Sequence, residues 1–198
     1  QKLALKQLHA EQPDAELVRR FAQERRALAR LNHPHIAALV DAGLDDQGRP
    51  YLVTSWVEGA RIDHWCDRNQ ADIRERVRLV RDIAAALSHA HGQMIVHRDL
   101  KPANVLVDSN RQVRLVDFGI AKLMDLAEGE HVSTGLPIMT LRYAAPEQVS
   151  GAVIGPPCDL YALGVLLFEL ISGQSPYGDC NHPSALANAV ANTAPPAP

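Results

Sequence analysis

Cysteine is scarce in this 198-residue chain, and what there is does not pair off. Cys66, Cys158 and Cys180 are odd in number and far apart. That argues against a disulfide framework and for free thiols in a reducing compartment. Positive charge is not in surplus either: 20 Lys and Arg against 23 Asp and Glu leave a net charge of -3. A chain that coats nucleic acid needs a basic excess to neutralise phosphates, so the charge argues against that class. Long apolar runs are missing. The longest, "LYALGVLLFELI", is too short to span a bilayer and contains Glu169. The opening "QKLALKQLHAEQ" is charged throughout and is no secretory signal. No internal repeat is present. These absences predict a soluble, cytoplasmic segment with no nucleic-acid or membrane contact of its own. Any membrane tether would belong to a longer parent chain. The hydrophobic fraction, 46%, is ample for a sizeable core.

The pattern of what is present divides the chain near Gly59. Before it, "KLALKQL" reads as a strand. "PDAELVRRFAQERRALARLNHP" reads as a helix, with Pro13 and Asp14 as start signals and His33-Pro34 as the stop. Its apolar stripe is Leu17, Phe21, Leu28 and Leu31, and Glu24 falls on that same stripe. A carboxylate on an inward face needs a partner, because burying an unpaired charge is costly. "HIAALVDAG" and "RPYLVTSWV" read as two strands joined by the turn "DDQG".

After Gly59 the chain is mainly helical. "DIRERVRLVRDIAAALSHAHG" is an amphipathic helix with Ile73, Val77, Val80, Ala84 and Leu87 on its stripe and Gly92 at its end. "VHRDLKPANVLVDSNRQVRLVDFG" reads as loop, strand, turn, strand, loop. From about residue 121 to 158 periodicity fades, and so long a loop in a compact domain is usually functional. "DLYALGVLLFELISG" is apolar nearly all round, the mark of a buried helix, with Asp159 as its cap and Gly173 as its close.

The stretch "HRDLKPANVLV" concentrates ionisable side chains just before an apolar strand. Asp99 and Asp117 flank the hairpin "NVLV…VRLV", and a hairpin brings its ends together. Asn104 starts the first strand beside them. Such oxygen-rich side chains at one spot suit a hard divalent cation such as Mg2+. A further carboxylate there can serve as a base or orienter for a hydroxyl. Lys101 adds positive charge for a transferring phosphoryl group. Each of these residues could also be ordinary loop polarity, and Lys6 an ordinary solvated strand lysine. His89, His91 and His97 loosely resemble a metal cluster, but His89 and His91 face different ways on a helix, so packing roles are preferred.

Taken in order, "LALK", "HRDLKPAN", "DFG" and "AAPEQ" resemble the signature set of the eukaryotic-type serine/threonine protein kinases. The wording "RRFAQERRALARLNHPHIAALVDAG" and "TLRYAAPEQVSG" is most similar to bacterial members. The resemblance implies an α+β, two-lobed fold: an incomplete strand-rich N-lobe over residues 1–59 and an incomplete, mainly helical C-lobe over 60–198. It implies ATP with Mg2+, or Mn2+ in its place, and protein substrates carrying Ser or Thr hydroxyls. Lys6 would hold the α- and β-phosphates and pair with Glu24. Asp99 would orient the substrate hydroxyl and Lys101 would stabilise the γ-phosphoryl. Asn104 and Asp117 would hold the metal. Thr54 would stand at the back of the adenine pocket, the backbone of Ser55 and Val57 would read the adenine edge, and Leu106 would lie beneath the ring. Asp159 would anchor the catalytic loop. Arg98 would receive a phosphate carried by Ser133 or Thr134, although both could be plain loop residues, and Thr140 would sit where the substrate residue docks.

The chain departs from the family pattern in places. No glycine-rich strand-turn-strand precedes Lys6, and little follows "SPYG", where further helices would supply an arginine for Glu147. It is therefore expected to be the middle of a kinase domain, with weak ATP binding and low activity by itself. Met139, Leu141 and Ser55 replace the more usual Gly, Pro and Glu. Two rival functions remain: a pseudokinase scaffold, against which the full set Lys6, Glu24, Asp99, Asn104 and Asp117 speaks, and a small-molecule phosphotransferase, against which "AAPEQ" and the long preceding loop speak.

Overall fold

The computed structural model describes residues 2–7, 15–118, 141–178, 180 and 182–192. The first sheet is antiparallel in the order β1-β3-β2, from β1 (Leu3–Gln7), β2 (Leu39–Leu44) and β3 (Pro50–Ser55). Its register sets Lys6 opposite Leu52 and Ala4 opposite Thr54. Alternation does the rest: Ala4, Lys6, Leu52 and Thr54 share the face turned towards the interior. Helix α1 (Ala15–Leu28) lies between β1 and β2 in the chain. It buries Phe21 and Leu28, as the stripe predicted. It stops at Leu28, short of the His33-Pro34 signal, because Arg30 and Leu31 close turns back onto Ala27 and Leu28. Pro13 and Asp14 lie outside the described residues.

The chain leaves this sheet after Ser55 and enters a second at Gly59. There β4 (Gly59–Arg61), β5 (Val105–Asp108) and β6 (Val113–Leu115) form an antiparallel sheet in that order. Gly59 is required at the crossing, since a Cβ there would stand 2.6 Å from the Val107 carbonyl oxygen. The helices that follow are α2 (Ile62–Arg68), α3 (Ile73–His91), α4 (Pro146–Ser150), α5 (Pro156–Ser172) and α6 (Pro183–Asn192). The β5–β6 hairpin with its flanking loops is the piece the sequence marked as charge-handling. A single 3-10 turn, Pro102–Asn104, feeds it.

Two readings of these helices need correction. The buried stripe of α3 is Leu79, Val80, Ile83, Ala86, Leu87 and Ala90, while Ile73 and Val77 are exposed. The stripe is rotated because α3 packs along α5 and β6 through its second half, so the first turn faces solvent. Helix α5 begins at Pro156, with Gly155 at its N-cap, and Asp159 is not its cap. Asp159 lies one turn inside, almost fully buried, and its carboxylate is used elsewhere. The apolar surface of α5 is otherwise core, as predicted: Ala162, Leu163, Val165, Leu166 and Leu170 are buried and Leu160 faces out. Cys66 and Cys158 are free and buried, and burial pushes their thiols up to about 11 and about 12, which makes them inert packing groups. Among the described residues no helix is long and apolar enough to cross a membrane.

Because Leu166 has no exposed surface and interdigitates with the main core, Leu166→Ala should cost about 2–5 kcal/mol. Leu160→Ala, on the exposed side of the same helix, should stay within about 0.5 kcal/mol. Urea denaturation of the two variants measures both.

Candidate active site

The site hangs from one carboxylate. Asp159 Oδ2 accepts the His97 amide and Oδ1 the Arg98 amide, each at 2.8 Å, and His91 Nε2 stands 2.8 Å from Oδ2. These bonds pin the loop between α3 and the 3-10 turn to the buried helix α5. Arg98 can present its amide this way only by turning into the left-handed region, at φ 66°. Gln148 on α4 holds the same residue from the other side. Its side-chain amide donates to the Arg98 carbonyl at 2.8 Å, and its Oε1 accepts the Ala145 amide at 3.0 Å. The sequence reading passed over Gln148. A polar residue directly after Pro-Glu at a helix start, where a side chain can reach back to the first amide, was the available signal.

His97 is fully buried and spans the loop to β6. Its Nε2 donates to the Val116 carbonyl at 3.1 Å, and its Nδ1 accepts the Asp99 amide at 3.3 Å. Burial holds its pKa below the usual histidine value, so it is the neutral tautomer these bonds need. Its ring packs on Phe118, with centroids 4.6 Å apart. His97 is thus a packing residue, as preferred, and no group of three or more His, Cys, Asp or Glu among the described residues could hold a metal by itself.

Asp99, Lys101 and Asn104 converge in front of this support. Lys101 Nζ lies 3.0 Å from Asp99 Oδ2. Asn104 Nδ2 donates to the Asp99 carbonyl at 2.8 Å and to its Oδ2 at 3.1 Å. Both donors of the Asn104 amide are thereby committed, which leaves its Oδ1 as a hard oxygen ligand. The Val116 amide donates to the Asn104 carbonyl at 3.0 Å and so brings Asp117 next to the loop. Asp117 also sits in the left-handed region, at φ 57°. Asn104 Oδ1 and the Asp117 carboxylate form a donor set that suits Mg2+ when phosphates and water complete the shell.

Lys6 reaches this group from β1. Its Nζ is 3.4 Å from Asp117 Oδ1. The predicted Lys6–Glu24 pair does not form: no ion pair within 4.0 Å joins them among the described residues. Glu24 is half-buried on α1, burial raises its pKa, and the charge that opposes this is Arg98. Lys6 is instead engaged by Asp117 across the cleft. A cavity of about 310 Å3 is lined by Lys6, Leu28, Leu31, Leu52, Thr54, Asp117 and Phe118. Thr54 stands at its wall as expected, whereas Ser55, Val57 and Leu106 do not line it. The Ser55 amide donates to the Ala38 carbonyl at 2.9 Å and its hydroxyl accepts the Ala38 amide at 3.1 Å, so neither faces a ligand. Ser133, Thr134 and Thr140 lie outside the described residues.

Comparison with known proteins identifies the family to which this two-lobed frame belongs. The protein kinase domain model matches residues 1–194. The chain belongs to the protein kinase family, in its bacterial serine/threonine branch. It is 38% identical over 182 residues to serine/threonine-protein kinase PknA of Mycobacterium tuberculosis, covering 89% of this chain and 42% of that protein. It is 35% identical over 165 residues to serine/threonine-protein kinase PrkC of Bacillus subtilis, covering 83% of this chain and 25% of that one. A probable serine/threonine-protein kinase of Streptomyces coelicolor is 36% identical across 99% of this chain and 30% of its own length. The chain thus spans less than half the length of these relatives.

Two outcomes follow from this geometry. Asp159→Ala strips two buried amides of their acceptor and should cost about 3–5 kcal/mol by chemical denaturation. Asp159→Asn keeps one acceptor and should cost less. Glu24→Gln should raise the melting temperature at pH 7. The sign follows from the raised pKa: the folded state holds its proton more tightly than the unfolded chain, so ionised Glu24 is a cost that grows as pH rises from the unfolded value towards the folded one. The gain from Glu24→Gln should therefore fade on acidification to pH 4, and melts across that range test it.

Proposed function

We propose that this chain transfers the γ-phosphoryl group of ATP to Ser or Thr hydroxyls of protein substrates. The observation that carries the reading is the Asp99–Lys101–Asn104 cluster, fixed from behind by Asp159 and set beside Asp117 by the Val116–Asn104 bond. In this reading residues 1–59 and 60–198 are the two lobes, with the nucleotide between them. Asp99 Oδ2 accepts a hydrogen bond from the substrate hydroxyl and orients its oxygen towards the γ-phosphorus. Lys101, already 3.0 Å from Asp99, offsets charge on the transferring group. Asn104 and Asp117 hold Mg2+ or Mn2+, which when bound would neutralise phosphate charge. Lys6 exchanges Asp117 for the α- and β-phosphates. That exchange is cheap, because the Lys6–Asp117 pair is over two-fifths exposed on both sides, and such pairs are worth about 0–1 kcal/mol.

In this proposal Leu106 lies beneath the nucleobase, whose edge meets the Val57 backbone and the Ser55 carbonyl, the Ser55 amide being held by Ala38, with Thr54 limiting depth. Arg98 receives a phosphate carried by Ser133 or Thr134 in this proposal, and Thr140 belongs to the loop that receives the acceptor hydroxyl. The similarity to bacterial kinases that act on Ser and Thr supports protein acceptors over small molecules.

Transfer of labelled phosphate from ATP to a generic basic protein and to the chain itself tests the reading. Asp99→Asn should lower turnover by roughly a hundredfold or more while nucleotide binding persists. Asp117→Asn should remove the metal-dependent part of nucleotide binding. Near-normal turnover in Asp99→Asn would overturn the assignment. Metal-dependent binding without transfer to any acceptor would favour a scaffold.

A further inference from the structure

Three imidazoles meet where the α1–β2 loop, whose Ile36 and Ala37 line the Lys6–Asp117 cavity, packs against α3. His33 and His35 come from the loop between α1 and β2, and His89 from the last turns of α3. The His33 ring centroid is 5.4 Å from that of His35 and 5.2 Å from that of His89. All three are half-buried. This loop is also where the first lobe is tied to the second. The Leu115 amide donates to the His35 carbonyl at 2.8 Å, and the Ala37 amide to the Leu115 carbonyl at 2.9 Å. Ile36 bridges to Leu115, and the Arg114 guanidinium donates to the Pro34 carbonyl.

The hydrogen bonds fix the protonation each ring requires. His33 Nδ1 accepts the His35 amide at 3.2 Å and must be bare. His35 Nδ1 faces the Val113 carbonyl at 3.0 Å and must carry hydrogen, a bond that survives protonation. His89 Nε2 faces the Gln93 side-chain nitrogen at 3.0 Å and so accepts, although a rotated carboxamide could serve the protonated ring. His33 is the one ring of the three with no way to gain a proton and keep its bond. We propose that this cluster is an acid-sensitive latch: protonation of His33 breaks its bond to the His35 amide and loosens the α1–β2 loop from β6.

The charges around it favour such a response. Burial and the two neighbouring imidazoles all act to keep His33 neutral. On β6 the charged group is Arg114, which lies 3.6 Å from Asp108 of β5, so that carboxylate is engaged. On α3, His91 turns away to Asp159. Helix α1 is held separately, by the Arg25 guanidinium donating to the Ala42 carbonyl at 2.9 Å and by buried Phe21 and Leu28, so the loosening is confined to the loop. His33 in the folded chain holds its proton less tightly than in the unfolded one. The latch is therefore fully closed above the unfolded histidine value, about 6.5, and opens as pH falls through the lower folded value. This inference does not depend on phosphoryl transfer.

Amide hydrogen exchange on the full chain at pH 7 and pH 5, corrected for intrinsic rates, tests it. The His35, Ala37 and Leu115 amides should exchange at least about tenfold faster at pH 5, while core amides of α3 around Leu87 hold their protection. His33→Asn supplies a side-chain oxygen acceptor that does not titrate, and should abolish the acceleration. Buried His97 also resists protonation, so the comparison with His33→Asn isolates the latch from that general effect. If His33→Asn does not fold, His89→Gln, which removes one neighbouring imidazole, should move the onset of acceleration to higher pH. Unchanged exchange in the wild type, or the same acceleration in His33→Asn, or an unmoved onset in His89→Gln, would overturn the proposal.

Discussion

The site rests on a carboxylate placed where water cannot reach it. Asp159 is 1% exposed, and burying a charge there is tolerable only because backbone amides and an imidazole surround it. Those amides belong to His97 and Arg98, so solvating the carboxylate and shaping the loop are one act. The helix that carries Asp159 is the most apolar among the described residues, and its buried side chains anchor it in the core behind the loop. Asp99, Lys101 and Asn104 inherit their positions from it.

A second constraint couples this loop to the metal side of the site. His97 bonds forward to the Asp99 amide and sideways to the Val116 carbonyl, and its ring lies against Phe118. The segment around Asp117 is therefore tied to Asp99 twice, through this buried ring and through Asn104. Lys6 is held more loosely, by an ion pair open to solvent. The site combines a rigid half, built on the second lobe, with an adjustable half contributed by β1 and α1.

Much of this was legible in the sequence where local patterns decide the outcome. The β5–β6 hairpin, the turn at "DDQG" and the all-apolar α5 follow from periodicity and turn residues, and the convergence of Asp99, Asn104 and Asp117 follows from the hairpin. What could not be read was orientation between elements. Glu24 sits on the stripe with Phe21 and Leu28, yet whether it meets Lys6 depends on how far α1 stands from β1. Ile73 and Val77 match the helical period of α3 but precede the part that packs. Asp159 looked like a helix cap because Asp commonly is one. Only the two prolines at 156 and 157, which start the helix earlier, and the amides waiting one turn further in explain why it is not.

Arg98 and Asp117, the residues on either side of the His97–Phe118 contact, both adopt a backbone shape that glycine would take at no strain. Side-chain-bearing residues there cost about 1–3 kcal/mol each. Replacing either with glycine would relax the chain but erase a guanidinium that faces Glu24 or a carboxylate that meets Lys6. Substitution at these two positions is therefore bounded on both sides: glycine eases the backbone but erases charge, and β-branched residues add strain. Positions caught in that way leave a lineage few neutral paths, and the rest of the core must carry enough surplus stability to keep two contorted residues in place.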